Sequence, residues 1–142
     1  MKTKVLLVDD EKDFVESLSE RLDIRNFDVT CAYNGDEALK FMRDQDFDVI
    51  ILDVLMPGKD GVETLQEIKK IKPLTQVIML TGNATVETAI NGMKLGAYDY
   101  LMKPTDTEIL VEKIDKACQL KQEHDERIQQ AEINNIVKRK GW

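Results

Sequence analysis

Three acids, a threonine and a lysine each stand at the end of an apolar run. Val5-Leu6-Leu7-Val8 ends in Asp9-Asp10, Val49-Ile50-Ile51-Leu52 in Asp53, Val77-Ile78-Met79-Leu80 in Thr81-Gly82, and Tyr98–Met102 in Lys103-Pro104. If those ends meet, three carboxylates, one hydroxyl and one ammonium share a rim. Clustered carboxylates raise one another's pKa unless a cation compensates. Hard oxygen ligands on a half-open site suit Mg²⁺, which keeps several waters and completes its shell with phosphate oxygens; Mn²⁺ is an alternative. A carboxylate beside such an ion can attack a phosphoryl group and become an acyl phosphate, a transfer that depends on positioning and charge stabilisation. Lys103 would then neutralise phosphoryl oxygens and Thr81 would hydrogen-bond another. Each residue alone has an ordinary explanation: Asp after a strand is common turn chemistry, and a lysine before a proline is usually a surface residue. The conjunction at the ends of four separate runs is what points to chemistry.

Such a rim requires a particular scaffold. The runs at 5–8, 49–52 and 77–80 are continuous and rich in branched residues, so they predict strands buried on both faces of a parallel sheet. Phe27–Tyr33 alternates and predicts an edge strand; Tyr98–Met102 predicts a fifth strand. Between them lie amphipathic stretches. Phe14, Val15, Leu18 and Leu22 share one helical face, as do Ala38, Leu39 and Met42. Leu65, Ile68 and Ile71 recur at i+3 before Pro73, and Val86, Ala89, Ile90 and Met93 precede Gly96, a candidate C-cap. Thr105-Asp106-Thr107-Glu108 has the form of a capping box before the last helix. The order is (βα)₅: a five-stranded, doubly wound parallel α/β sheet with right-handed crossovers. In such sheets ligands sit beyond the carboxyl ends of the strands.

The remaining composition narrows the function. The chain has 142 residues, enough for one domain with a proper core. Net charge is −7, and its distribution is uneven. Residues 107–142 hold seven acids and seven bases, whereas residues 1–106 hold 20 acids and 13 bases. An acidic body argues against direct nucleic-acid binding, which needs a basic face. No apolar run reaches membrane-spanning length and the N-terminus lacks the pattern of a signal peptide, so the expected location is cytoplasmic, without membrane contact. Cys31 and Cys118 fit no metal or redox spacing and read as reduced structural thiols.

The motifs "VLLVDDE", "DVIILDVLMPGKDG", "VIMLTG" and "GAYDYLMKP" occur in that order. Together they make residues 3–120 resemble the receiver domain of two-component response regulators. The resemblance implies a flavodoxin-like fold with strand order 2-1-3-4-5. It implies that Asp53 accepts a phosphoryl group from a histidine kinase or phosphotransfer protein. It also implies Mg²⁺ held directly by Asp10, Asp53 and the backbone carbonyl of Leu55, with Asp9 acting through an ordered water. Thr81 and Lys103 match the phosphate-sensing hydroxyl and ammonium. Tyr100 matches the switch aromatic, which turns inward as Thr81 moves; without the resemblance it reads as a half-buried edge-strand aromatic. A cis Lys103–Pro104 peptide rests on the same resemblance. The implied output is a changed surface on the fourth helix, fifth strand and last helix. A chain of this kind is a signalling switch, which catalyses only its own phosphorylation and dephosphorylation.

Leu55 follows Asp53 by two residues and Asn83 follows Thr81 by two. Both should border the acyl phosphate and the path of attacking water. An apolar Leu55 offers no group to orient that water. Self-dephosphorylation should therefore be slower in the parent than in Leu55→Asn, measured as loss of phosphoryl mass with time; equal or faster loss from the parent would refute this.

The expected organisation is a receiver domain at 1–120 and a helical C-terminal extension or linker at 121–142. From Asp106 to about Lys138 there is no Gly or Pro, so the last helix can run long. Lys121 and His124 interrupt its heptad positions, leaving a solvated tail and a dimer seam both open. A homodimer could form through the switching surface or through this helix. The stretch after 120 is too short for a DNA-binding module, so the output passes to a downstream effector protein or to an effector domain outside this sequence. Three rivals are weaker. A pure interaction module with an idle pocket is argued against by the complete set of acids with Thr81 and Lys103. An aspartate-nucleophile phosphatase of the haloacid-dehalogenase type would carry a second acid where Leu55 stands. A flavodoxin would carry a Ser/Thr/Gly-rich phosphate loop, where "DDEKD" would repel FMN phosphate.

Overall fold

The computed structural model describes residues 2–54, 61–82 and 86–141, apart from the side chains of Val86 and Thr88. Ten elements alternate: β1 Lys4–Val8, α1 Lys12–Ile24, β2 Asp28–Ala32, α2 Gly35–Asp44, β3 Val49–Leu52, α3 Gly61–Ile71, β4 Gln76–Thr81, α4 Val86–Lys94, β5 Asp99–Met102 and α5 Thr107–Lys140. The five strands form one sheet in the order β2-β1-β3-β4-β5, with all neighbouring pairs parallel. Parallel neighbours need crossovers, and the helices supply them. This is the doubly wound sheet the apolar runs predict, with β2 on an edge.

Continuous apolar strands are explained by two cores, because alternate residues face opposite sides. Leu6, Val8, Ile50, Leu52, Val77 and Met79 pack with Ala38, Leu39 and Met42 of α2 and Leu65 and Ile68 of α3. Val5, Leu7, Val49, Ile51, Ile78 and Leu80 pack with Val15, Leu18 and Leu22 of α1 and Leu110, Ile114 and Ala117 of α5. These central strand residues are 0–1% exposed, so both faces of the sheet are covered along β1, β3 and β4 at these positions.

Helix ends follow local chemistry. Asn34 caps α2, its side chain accepting from the Glu37 N–H at 2.8 Å. Gly96 ends α4 with φ +101°, and the Ala97 N–H donates to the Gly92 carbonyl at 3.0 Å, as a glycine C-cap should. The start of α5 differs from the expected box. Asp106, not Thr105, is the cap; it accepts from the Glu108 N–H at 2.8 Å. The shift by one residue leaves Glu108 free of any box and pairs its carboxylate with Arg25 from the end of α1. A long-range ion pair thus stands where a local hydrogen bond to the backbone was expected.

The last helix is continuous for 34 residues to Lys140, closed by Gly141 at φ +73°. Its core stripe ends at Cys118. Beyond that, Lys121 reaches Asp48 at 3.9 Å and Asp125 at 3.4 Å. Ile128, Ile133 and Ile136 are all exposed. Among the described residues no helix is long and apolar enough to cross a membrane.

Candidate phosphoryl-acceptor site

Strand register brings the predicted residues together. Val8 pairs with Leu52, Leu52 with Met79, and Thr81 with Met102. The ladder continues one residue past the strands: the Asp53 N–H donates to the Val8 carbonyl at 2.9 Å, and the Lys103 N–H to the Thr81 carbonyl at 2.9 Å. Backbone bonds therefore fix Asp9, Asp53, Thr81 and Lys103 on one rim before any side chain acts. One carboxylate oxygen from each of Asp9, Asp10 and Asp53 lies within 4.8 Å of the others. Asp9 and Asp53 are 1% and 4% exposed, while Asp10 faces solvent. Thr81 is buried, and the Lys103–Pro104 peptide is cis.

Lys103 is the electrostatic centre of the rim. Its Nζ donates to Asp9 Oδ2 at 2.5 Å and lies 3.7 Å from Asp53 Oδ2 and 3.4 Å from Glu11 Oε1. The other Asp9 oxygen accepts from the Glu11 N–H at 3.0 Å. Burial pushes the Asp9 carboxyl up to about 6; the hydrogen bonds from Lys103 and Glu11 oppose this and the Asp53 charge adds to it. Burial works to lower the Lys103 ammonium, but the bond to Asp9 and the surrounding acids outweigh it and raise its pKa. The rim thus gathers four carboxylates, Asp9, Asp10, Glu11 and Asp53, around or near the Lys103 ammonium. Three oxygen donors, with Asp10 exposed to solvent, suit a hard divalent cation. Both Asp9 oxygens accept hydrogen bonds, one from Lys103 and one from the Glu11 N–H.

The family model for the response regulator receiver domain matches residues 5–115. The chain belongs to the response regulator receiver domain family. Transcriptional regulatory protein ZraR of Salmonella typhimurium is 39% identical over 116 residues, 82% of this chain and 26% of ZraR. This receiver spans about a quarter of the length of the curated relatives it matches. The receiver domain of NtrX from Brucella abortus superposes with a TM-score of 0.77 at 32% identity, covering 81% of this chain and 98% of that one. A CheY-like receiver domain protein from Methanospirillum hungatei JF-1 gives a TM-score of 0.84 at 27% identity, covering 87% and 99%.

Within this receiver, Tyr100 packs against the core that contains Met79, and its hydroxyl is buried with no hydrogen-bond partner among the described residues. The ring is therefore already turned inward here. Leu55 and Asn83 lie outside the described residues. Three contributors were not expected from sequence. Glu11 supplies a third carboxylate to Lys103. Phe14 lies with its ring centroid 4.1 Å from the Lys103 Nζ. Gly61 brings the start of α3 against the Asp53–Val54 backbone. The acid run "DDEKD" and the "GKDG" ending were visible signals for the first and third; nothing local marked Phe14 as more than core.

Proposed function

We propose that this receiver is a phospho-accepting switch in which Asp53 takes a phosphoryl group from the phosphohistidine of a histidine kinase or phosphotransfer protein. The observation that carries the reading is the convergence of Asp9, Asp10, Asp53 and Lys103 on one rim. An Asp53 carboxylate oxygen attacks phosphorus, the P–N bond breaks, and the histidine leaves with the bonding electron pair and is protonated. Lys103 exchanges its bond to Asp9 for one to a phosphoryl oxygen, and the Thr81 hydroxyl donates to another. Asp10 and Asp53, with the Leu55 carbonyl implied by the family, would hold Mg²⁺, and Asp9 would act through water. Bound there, Mg²⁺ (or Mn²⁺) supplies positive charge to the phosphoryl oxygens. Phosphorylation adds about −1.5 to −2 charges near neutral pH. Drawing Thr81 towards them shifts the balance between two packings around Tyr100 and changes the α4-β5-α5 surface. A downstream effector, in a partner or in a longer chain, reads that surface. Self-association through it or through α5 is compatible with this output.

The receiver unit is residues 1–120, with 121–142 as a helical extension or linker, and the acidic body suits a cytoplasmic protein that does not itself bind nucleic acid. Incubation with Mg²⁺ and acetyl phosphate should add one phosphoryl group to the intact mass, and chelation should prevent it. A parent chain that stays unmodified in Mg²⁺ would sink the reading.

The cation requirement has a pH signature. With Asp9 raised from 3.8 to about 6, the metal-free folded state binds more protons than the unfolded chain between those values. Stability from this group is therefore greatest at low pH and falls as pH rises through that window. A divalent cation held by these carboxylates would compete with the proton and reverse the trend. Millimolar Mg²⁺ should raise the melting temperature clearly at pH 7.5 and little at pH 5; equal shifts at both would contradict the assignment.

A further inference from the structure

Lys103 must hold its ammonium near two carboxylates and still release it to an arriving phosphoryl group. A lysine side chain is long and flexible, and hydrogen bonds to Asp9 alone would hold it back. Among the described residues the ammonium also has an aromatic neighbour. It is the Phe14 ring, whose centroid lies 4.1 Å from Nζ. Only 10% of the Lys103 side chain is exposed, so this contact is made in a largely dry environment. A cation over an aromatic face is attracted by the ring quadrupole, and more strongly when desolvated. Unlike a hydrogen bond, that attraction tolerates lateral motion. Asp9, Glu11 and Asp53 determine what the ammonium bonds to, and the ring provides the surface along which it can move.

The ring itself is partly buried. Phe14 is on α1 next to the fully buried Val15 and packs against the core formed by α1, α5 and the sheet. It also lines a cavity of about 370 Å³ with Leu18, Leu80, Pro104 and Leu110. Pro104 adjoins Lys103, so the same wall supports both partners.

We propose that Phe14 is a positioning residue for phosphoryl transfer, its ring face holding the Lys103 ammonium beside Asp9 and Asp53. This rests on the reading under Proposed function. A residue that merely fills core would be replaceable by leucine; one that acts through its π face would not be.

The test compares the parent with Phe14→Leu and Phe14→Tyr. Uptake of phosphoryl from acetyl phosphate in saturating Mg²⁺ is followed by intact mass, and Lys103 ε-methylene shifts are read by NMR without phosphodonor. Phe14→Leu should slow uptake about fivefold. Phe14→Tyr keeps the quadrupole and should stay within about twofold of the parent. The ε-methylene protons should be shifted upfield by the ring in the parent and in Phe14→Tyr, and return to the ordinary position in Phe14→Leu. Unchanged uptake in Phe14→Leu, equal slowing in both variants, or an unshifted Lys103 in the parent would each overturn the proposal. A parent that takes up no phosphoryl group at all overturns the functional reading instead, and the NMR shift alone then decides whether the ring holds the lysine.

Discussion

Asp53→Asn should abolish phosphoryl uptake under conditions that modify the parent, while the metal-free variant melts at a higher temperature. The first effect follows from chemistry: an amide oxygen is too poor a nucleophile to form the acyl phosphate. The second follows from electrostatics. Asp53 is 4% exposed and its oxygen lies within 4.8 Å of those of Asp9 and Asp10. Its charge is one of the causes that push Asp9 upward. The opposing attraction to Lys103 acts across 3.7 Å, whereas the Lys103 bond to Asp9 at 2.5 Å survives the substitution. Relief of repulsion should stabilise the metal-free fold by about 1 kcal/mol, or about 2–4 °C for a chain of this size. Mg²⁺ should stabilise the variant less than the parent, because a direct donor is lost. Calorimetry with and without Mg²⁺ checks both signs. Phosphoryl uptake that persists in Asp53→Asn would place the acceptor elsewhere.

Gly61→Ala should destabilise the protein more than any other single added methyl group considered. A β-carbon at Gly61 would sit 2.2 Å from the Val54 Cα and 2.5 Å from the Asp53 carbonyl oxygen. Those are backbone atoms, which cannot rotate aside. The Gly61 N–H also donates to the Val54 carbonyl at 3.1 Å, so α3 is tied to the segment it crowds. Either α3 moves off the sheet, opening the contacts of Leu65 and Ile68, or the end of β3 shifts and takes Asp53 with it. Overpacking of this kind should cost about 3 kcal/mol, or roughly 10 °C in melting temperature. Gly92→Ala is the control. Its β-carbon would meet the end of the Met79 side chain at 2.0 Å, and a flexible thioether can turn away. Thermal unfolding of both variants should therefore separate clearly; equal losses would mean that the crowded backbone at Gly61 yields easily.

Much of the architecture was legible because its causes are local. Apolar runs buried on both faces, helical stripes and a glycine after α4 each leave a periodic or positional mark. The strand order came from family resemblance, since periodicity cannot say which strands are neighbours. Asp9, Asp10, Asp53, Thr81 and Lys103 were legible because each follows a strand, and parallel strands end on the same rim. What local pattern could not supply was pairing across the fold. The carboxylate of Glu108 was expected to close a cap and instead meets Arg25, 83 residues away in sequence. Phe14 reads as core from its helical spacing, and only its proximity to Lys103 marks it out. Gly61 closes the "GKDG" ending of its motif, but its need for space comes from the Asp53–Val54 backbone just past β3.

The most direct test is to locate the phosphoryl group. After treatment with Mg²⁺ and acetyl phosphate, borohydride reduces an aspartyl phosphate to homoserine, and peptide mapping finds the converted position. Homoserine at position 53 alone is the predicted result. Conversion at position 9 or 10, or at no position in a well-folded preparation, would contradict it.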